Sequence, residues 1–376
     1  MDYLPFARPT IDEAMIAAVA DTLRGRWIAS GPQVQAFESA LGDYVGGRPV
    51  RSLTSATAAM QVALEMLEVG PGDEVITPAQ SFFATANVIE RTGATTVFVD
   101  VELASRNLDF AQADAAVTPH TKVLLPTHYN APIDPAALAG FARRHKVRVV
   151  EDAALAIGSR AGGKPVGAAG DLVSFSFHPN KNMTTIEGGA LVVNDEREAR
   201  RVEELRFHGI TRNADGTRDV PEPGSKFNMS DVSARLGLEQ LRRLDEWCRA
   251  RERLAHHYFE CLAGDDLIAP DALPPRDNPG HSWNMFTVLL PLDAARTTRK
   301  QFMDAMQKEG IGIGISYEAI HLTRYFRGKG FREGRFPVSE RIARETVTLP
   351  LFPEMRETDV QRVCESMKRV LRRKAA

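Results

Sequence analysis

A chain of 376 residues is longer than one simple core can serve, and two domains are expected. Hydrophobic residues make up 43% and charged residues 26%, the usage of a folded globular protein, which excludes a disordered chain. Lys and Arg number 47 against 49 Asp and Glu, so the net charge is 47 − 49 = −2. That balance offers no broad positive field to nucleic acid or an anionic membrane, and any anion must be held by a local site.

Cys248, Cys261 and Cys364 lack C-x-x-C spacing and read as reduced thiols rather than a disulfide or zinc framework. The opening stretch MDYLPFARPTIDEAM places acids and prolines where a signal peptide needs a basic region and an apolar core. No apolar run approaches ~18 residues, the length that spans a bilayer. A cytoplasmic protein without membrane contact is the expectation.

In chain order, apolar residues recur at helical spacing over 11–24 and again over 33–45. Short β-rich runs then alternate with helical segments. The predicted strands are 73–78, 95–101, 122–128, 147–152, 172–177 and 190–195, with helices at 57–68, 84–92 and 135–145 among the intervening stretches. Strands nearly continuous in Val, Ile and Leu, separated by helices, imply a largely parallel sheet covered on both faces. A long charged helix at 229–262 carries the chain onward. Beyond it a smaller α+β unit is expected, with strands at 284–292 and 310–317 and helices at 299–308 and 357–372. The Gly- and Pro-rich segment 212–225 reads as a surface loop.

Ligands of such sheets sit outside the carboxyl ends of the strands, and four features fall there. Asp152 ends the apolar run VRVVED. It could cap a following helix, or it could be a carboxylate facing a cationic ligand. The motif TSATAAM, residues 54–60, follows a β-like stretch and opens a helix. Its Ser and Thr suit capping, and its free amides suit an anion. Phe82 and Phe83 follow the strand at 73–78, as core residues or as a platform for a planar ring. Lys181 stands in SFSFHPNKNMTTIEGG between two strands, either as a solvated lysine or as a covalent anchor. A phosphate cradle, an aromatic plate, a buried carboxylate and a lysine at one sheet edge are together what pyridoxal 5'-phosphate (PLP) requires.

Other motifs carry less. No P-loop is present, and GIGIGISY lacks the third glycine of a dinucleotide loop. His256 and His257 lack the i,i+4 spacing of metal ligands, and no metal site is expected.

The ordered set GRWIASGPQVQAFE, TSATAAMQVAL, GDEVITPAQSFFATAN, VEDAALAIGS, SFSFHPNKNMTTIEGG, RFHGI, KFNMSDVSARLGLEQL and TLPLFPEM resembles the DegT/StrS-type sugar aminotransferases over nearly the whole chain. Within that family YLPFARP, SGP and GIGIGISYEAIH are most similar to the enzymes that make UDP-4-amino-4-deoxy-L-arabinose. The resemblance implies the fold type I (aspartate aminotransferase-like) architecture. Residues 1–245 would form a large PLP-binding domain, with about the first dozen packed on a small C-terminal domain of residues 246–376.

It also implies roles for particular residues. Lys181 forms the Schiff base with PLP and moves the proton, and Asp152 pairs with the pyridine nitrogen. Phe82 stacks on the ring, while Ala56, Thr57 and Ala58 with Ser176 hold the phosphate. Asn228 reaches the phosphate of a neighbouring subunit, so a homodimer with shared sites is expected. Ser30, Tyr317 and His321 face substrate. Glutamate would be the amino donor and a nucleotide-linked ketosugar the acceptor. Two departures stand out: Leu155 replaces the usual His or Gln beside the cofactor, and SYEAIH and HYNAP differ from the usual runs near the sugar. A keto-cyclitol acceptor, a PLP-dependent sugar dehydration and a non-catalytic ligand sensor are the competing expectations. Lys181 with Asp152 favours catalysis.

Overall fold

The computed structural model describes residues 3–372, so the two outermost N-terminal and four outermost C-terminal positions of the expected domains lie outside it. Seven strands form one sheet: β1 (Val50–Leu53), β2 (Glu74–Pro78), β3 (Thr95–Val99), β4 (Thr121–Leu124), β5 (Arg148–Asp152), β6 (Leu172–Ser176) and β7 (Gly189–Val192). Their spatial order is β1-β7-β6-β5-β4-β2-β3, and only β7 runs against the others. The sequence places six of these strands within a few residues, because Val, Ile and Leu fill both faces of strands covered by helices.

The covering helices include α1 (Glu13–Arg24), α2 (Pro32–Tyr44), α3 (Ala56–Met66), α4 (Phe83–Thr92), α5 (Phe110–Ala116), α6 (Pro135–His145), α7 (Glu196–Leu205) and α8 (Asp231–Leu262). One apolar layer joins α3, α4 and α7 to the sheet, and another seats Phe37 and Leu41 of α2 and Leu244 of α8 on Phe175 and Phe177. The first turn of α2 has no side-chain cap of its own. Buried Asp231 of α8 supplies one, accepting from the amides of Gly31 at 2.7 Å, Val34 at 3.0 Å and Gln33 at 3.2 Å. A carboxylate there satisfies three orphan donors at the positive end of the helix.

The C-terminal half of α8, with Tyr258 and Phe259, joins a separate cluster with β8 (Phe286–Leu289), β9 (Thr346–Leu349), α9 (Arg299–Lys308) and, after the short helices α10 (Arg324–Gly328) and α11 (Pro337–Glu345), α12 (Glu357–Arg372). β8 and β9 pair antiparallel. The expected strand at 310–317 does not form: Ile311 and Gly314 make only single bridges, to Leu4 and Thr348. The reason is steric. A Cβ on Gly312 would lie 2.5 Å from Tyr3 Oη, and one on Gly314 would crowd the Phe6 ring at 3.1 Å, so the alternate glycines make room for N-terminal aromatics. The segment 212–225 is also not wholly loop, since Thr211–Arg212 and Arg218–Asp219 pair as a short exposed ribbon. No described helix is long and apolar enough to cross a membrane.

Candidate active site

Four strands that point the same way deliver the site. β1 ends into Ser55 and the start of α3, β2 into Ser81 and Phe82, β5 at Asp152, and β6 at Ser176 before the Lys181 loop. Their carboxyl ends surround a cavity of about 330 Å³ lined by Ala56, Thr57, Phe82, Asp152, Leu155, Ser176, Lys181 and Tyr317, among others. The two groups on which a covalent reading depends, an amine and a carboxylate, thus share one cleft.

Asp152 is 3% exposed. Its Oδ1 accepts from the Ala154 amide at 3.1 Å and its Oδ2 from the Thr85 hydroxyl at 2.8 Å. Burial pushes its carboxyl above the usual range, against the pull of Thr85, Ala154 and Lys181. No helix follows Asp152 for it to cap: one oxygen satisfies a backbone turn, and the side chain lines the cavity.

The lysine loop is a built turn. Lys181 N–H donates to His178 O at 2.9 Å, Thr185 N–H to Phe177 O at 3.0 Å, and the Thr184 hydroxyl to the same Phe177 carbonyl at 3.0 Å. The two threonines of the motif fold the loop back onto β6 and aim Lys181 inward. Burial lowers the lysine pKa to about 8, with Asp152 acting in the opposite direction. An amine with a lowered pKa beside a carboxylate suits nucleophilic attack and proton transfer near neutral pH.

At the start of α3 the Ser55 hydroxyl accepts from the Ala58 amide at 3.0 Å. Among the described residues no protein acceptor takes the Ala56 or Thr57 amide, and both residues line the cavity. Gly189 makes this cradle possible, since a Cβ there would collide with the backbone of Ser55 and Ala56. Phe82 is 52% exposed with its ring at the cavity, while Phe83 packs inward, which separates platform from core. Tyr317 lies against Phe82 at 5.5 Å and against Tyr129 at 5.8 Å and also lines the cavity.

The residues fit PLP on these observations: paired amine and carboxylate, free helix-start amides with hydroxyls, and an uncovered aromatic plate.

Two expectations need correction, at Ala58 and His321. Ala58 does not line the cavity, because it is buried and its amide is used by Ser55. His321 does not reach it either: it is fully buried, donor–acceptor partner to Glu340 at 3.0 Å, and packed edge-on against Phe336 at 4.8 Å. Burial lowers its pKa. Ser30 and Asn228 form a pair of their own, the Asn228 amide donating to Ser30 Oγ at 2.5 Å, away from the cavity of their own chain.

Residues that sequence reasoning missed are Ser81, Thr85 and Thr127. Their hydroxyls are joined at 2.8 Å and 2.9 Å and lead to Asp152. The only signal was a hydroxyl near each strand end, which many loops carry.

Solved structures share this fold. Spr1654 of Streptococcus pneumoniae, designated a sugar aminotransferase and solved in its PLP form, has a TM-score of 0.92 and 30% identity, with 100% of each chain covered. DesV of S. venezuelae, solved with a ketimine intermediate, has a TM-score of 0.89 and 31% identity over 99% of this chain and 100% of that one. DesI, solved in the presence of its TDP-sugar product, has a TM-score of 0.89 and 28% identity over 99% and 94%. Residues 9–368 match the DegT/DnrJ/EryC1/StrS aminotransferase family. A parallel-sheet cleft that joins Lys181 to Asp152, and a match across nearly the whole chain, make this protein a member of the DegT/DnrJ/EryC1/StrS aminotransferase family, an enzyme of fold type I.

Proposed function

We propose that the cavity binds PLP and that the enzyme transfers an amino group from glutamate to a keto group of a nucleotide-linked sugar. The observation that carries the reading is the shared cleft of Lys181 and Asp152, with Phe82 on one wall and the start of α3 at its end. Bound PLP supplies an electrophilic carbon that takes up the amine and a ring that delocalises the electron pair left when the neighbouring C–H bond breaks.

The chain's own residues do the rest. Lys181 would hold the cofactor, and its Nζ, with its lowered pKa, is suited to take and return the proton. Asp152 would pair with the ring nitrogen and keep it protonated. Phe82 would cover a ring face, and the Ala56 and Thr57 amides with the Thr57 and Ser176 hydroxyls would hold the phosphate. Leu155, which lines the cavity, offers no hydrogen bond there, so the phenolic oxygen would be tuned by other groups.

Ser30 and Asn228 lie outside their own cavity, which fits service to a partner's phosphate and substrate in a homodimer. Exposed Ile16, Trp27, Ile28 and Ile186 provide apolar surface for such a contact. Clusters centred on Phe37, Phe175 and Phe177 and on Tyr258, Phe286 and Phe302 support a cofactor-binding unit at residues 1–245 and a smaller unit at 246–376, with Phe98, Ile320 and Phe336 packed across the two. The proposed setting is the cytoplasm.

A nucleotide-sugar acceptor is supported by DesI, solved with its TDP-sugar product. A 4-ketopentose on UDP is the specific acceptor suggested by YLPFARP and GIGIGISYEAIH. The test is a panel of UDP-, GDP- and dTDP-linked ketosugars and a keto-cyclitol, each with glutamate and followed by 2-oxoglutarate release. Amination of a nucleotide sugar supports the reading; turnover of the cyclitol alone, or dehydration in place of amination, overturns it.

A further inference from the structure

We propose that Thr85 is a positioning residue for Asp152, and that Thr127, Ser81 and Thr85 form a directed hydroxyl chain that keeps this carboxylate ionised toward the ring nitrogen. The inference rests on the PLP reading above.

The three hydroxyls come from separate places that the sheet brings together. Ser81 lies in the loop after β2, Thr85 in the first turn of α4, and Thr127 beyond the end of β4, where its backbone bridges Asp152. β2, β4 and β5 are consecutive neighbours in the sheet. All three hydroxyl-bearing residues and Asp152 are buried. The contacts run Thr127 Oγ1 to Ser81 Oγ at 2.9 Å, Ser81 Oγ to Thr85 Oγ1 at 2.8 Å, and Thr85 Oγ1 to Asp152 Oδ2 at 2.8 Å.

Donor counting fixes the direction. An ionised carboxylate only accepts, so the Thr85 proton points at Asp152. Thr85 oxygen then accepts from Ser81, and Ser81 oxygen from Thr127. Three O–H dipoles align on one negative group, an arrangement in which each bond strengthens the next. With Asp152 protonated on Oδ2 the order reverses, and the last proton leaves Thr127 without a protein acceptor among the described residues.

Ordinary buried hydroxyls nearby behave otherwise. Thr77 donates to the Leu125 carbonyl at 2.9 Å and Thr184 to the Phe177 carbonyl at 3.0 Å. The Thr127–Ser81–Thr85 series bypasses backbone carbonyls and ends on the carboxylate. Asp152 spends one acceptor position of Oδ1 on Ala154 and one of Oδ2 on Thr85. The remaining lone pairs are left for a ligand N–H in the cavity it lines.

The test compares Thr85→Val, which keeps the shape and loses the hydroxyl, with Thr85→Ser, which restores it. Fluorescence titration of each apoenzyme with PLP and the pH profile of kcat/KM are measured alongside Asp152→Asn. Thr85→Val should bind PLP about tenfold more weakly and move the acid limb of kcat/KM up by about one pH unit, with Thr85→Ser close to wild type. Ser81→Ala, which breaks the second link and leaves Thr85 in place, should shift both readouts in the same direction by less. Wild-type affinity and acid limb in Thr85→Val overturn the proposal, as does a Thr85→Ser enzyme no better than Thr85→Val. Should Thr85→Val not fold, unchanged readouts in Ser81→Ala overturn it. A wild-type affinity and turnover in Asp152→Asn would instead sink the PLP reading itself.

Discussion

Lys181 must present a free amine to attack an aldehyde, so the pH dependence of cofactor capture by the apoenzyme reads the titration of that amine. An ordinary lysine titrates at 10.5, and burial brings Lys181 down to about 8 while Asp152 resists the fall. The difference of about 2.5 (10.5 − 8) leaves roughly one amine in ten neutral at pH 7, against roughly one in three thousand for a solvated lysine, an advantage of about 300-fold. Stopped-flow mixing of apoenzyme with PLP between pH 6 and 10 should give a capture rate that rises with a midpoint near 8. In Asp152→Asn the charge that favours the ammonium form is gone, and the midpoint should fall further. A wild-type midpoint near that of free lysine refutes desolvation as the activating cause. A midpoint that is unchanged or raised in Asp152→Asn refutes the electrostatic coupling of the two groups.

Three further outcomes follow from the same geometry. Because the folded state lowers the Lys181 pKa, its ammonium form costs stability at and below pH 8, and that cost disappears as pH rises from 8 to 10.5. Apo Lys181→Met should therefore exceed wild type by about 2 kcal/mol at pH 7 in urea melts, allowing for partial solvent access through the cavity, and lose that advantage by pH 10.5; a gain independent of pH contradicts this. Phe82→Ala should leave urea stability within about 1 kcal/mol of wild type, since the ring is 52% exposed, yet weaken PLP binding by about 3- to 10-fold. A large stability loss with unchanged affinity would return Phe82 to a packing role. Gly189→Ala should cost about 3 kcal/mol in chemical denaturation and weaken PLP binding, because its methyl drives the start of α3 off β7; a silent substitution would show that the cradle does not depend on this close approach.

Much of the sheet was legible in the sequence because its strands are continuous apolar runs and its helices carry sharp boundaries. Asp134 followed by Pro135 starts α6, and Thr298 with Gln301 forms a capping box at α9, so both helices fall where their periodicity places them. GIGIGISY misled because alternate glycines resemble a strand locally, whereas their cause is the approach of Tyr3 and Phe6 from more than 300 positions away.

At the site, Lys181, Asp152 and Phe82 stand out from chemistry that must sit at strand ends, Thr57 and Ser176 come from the resemblance, and the fold does converge those ends. His321 was misplaced because resemblance carries over a residue type and not its pairing with Glu340, which closes it inside an aromatic cluster. Thr85, Ser81 and Thr127 were invisible for a different reason. Each is an unremarkable hydroxyl in its own segment, and only the parallel order of β2, β4 and β5 joins them into a line ending on a carboxylate.

Borohydride reduction of the PLP-loaded enzyme, followed by peptide mapping, tests the central claim most directly. The account predicts a single stable phosphopyridoxyl adduct on the peptide that contains Lys181, absent when Lys181 is replaced by Ala. An adduct on any other lysine, or cofactor that binds and turns over without being trapped at all, would contradict it.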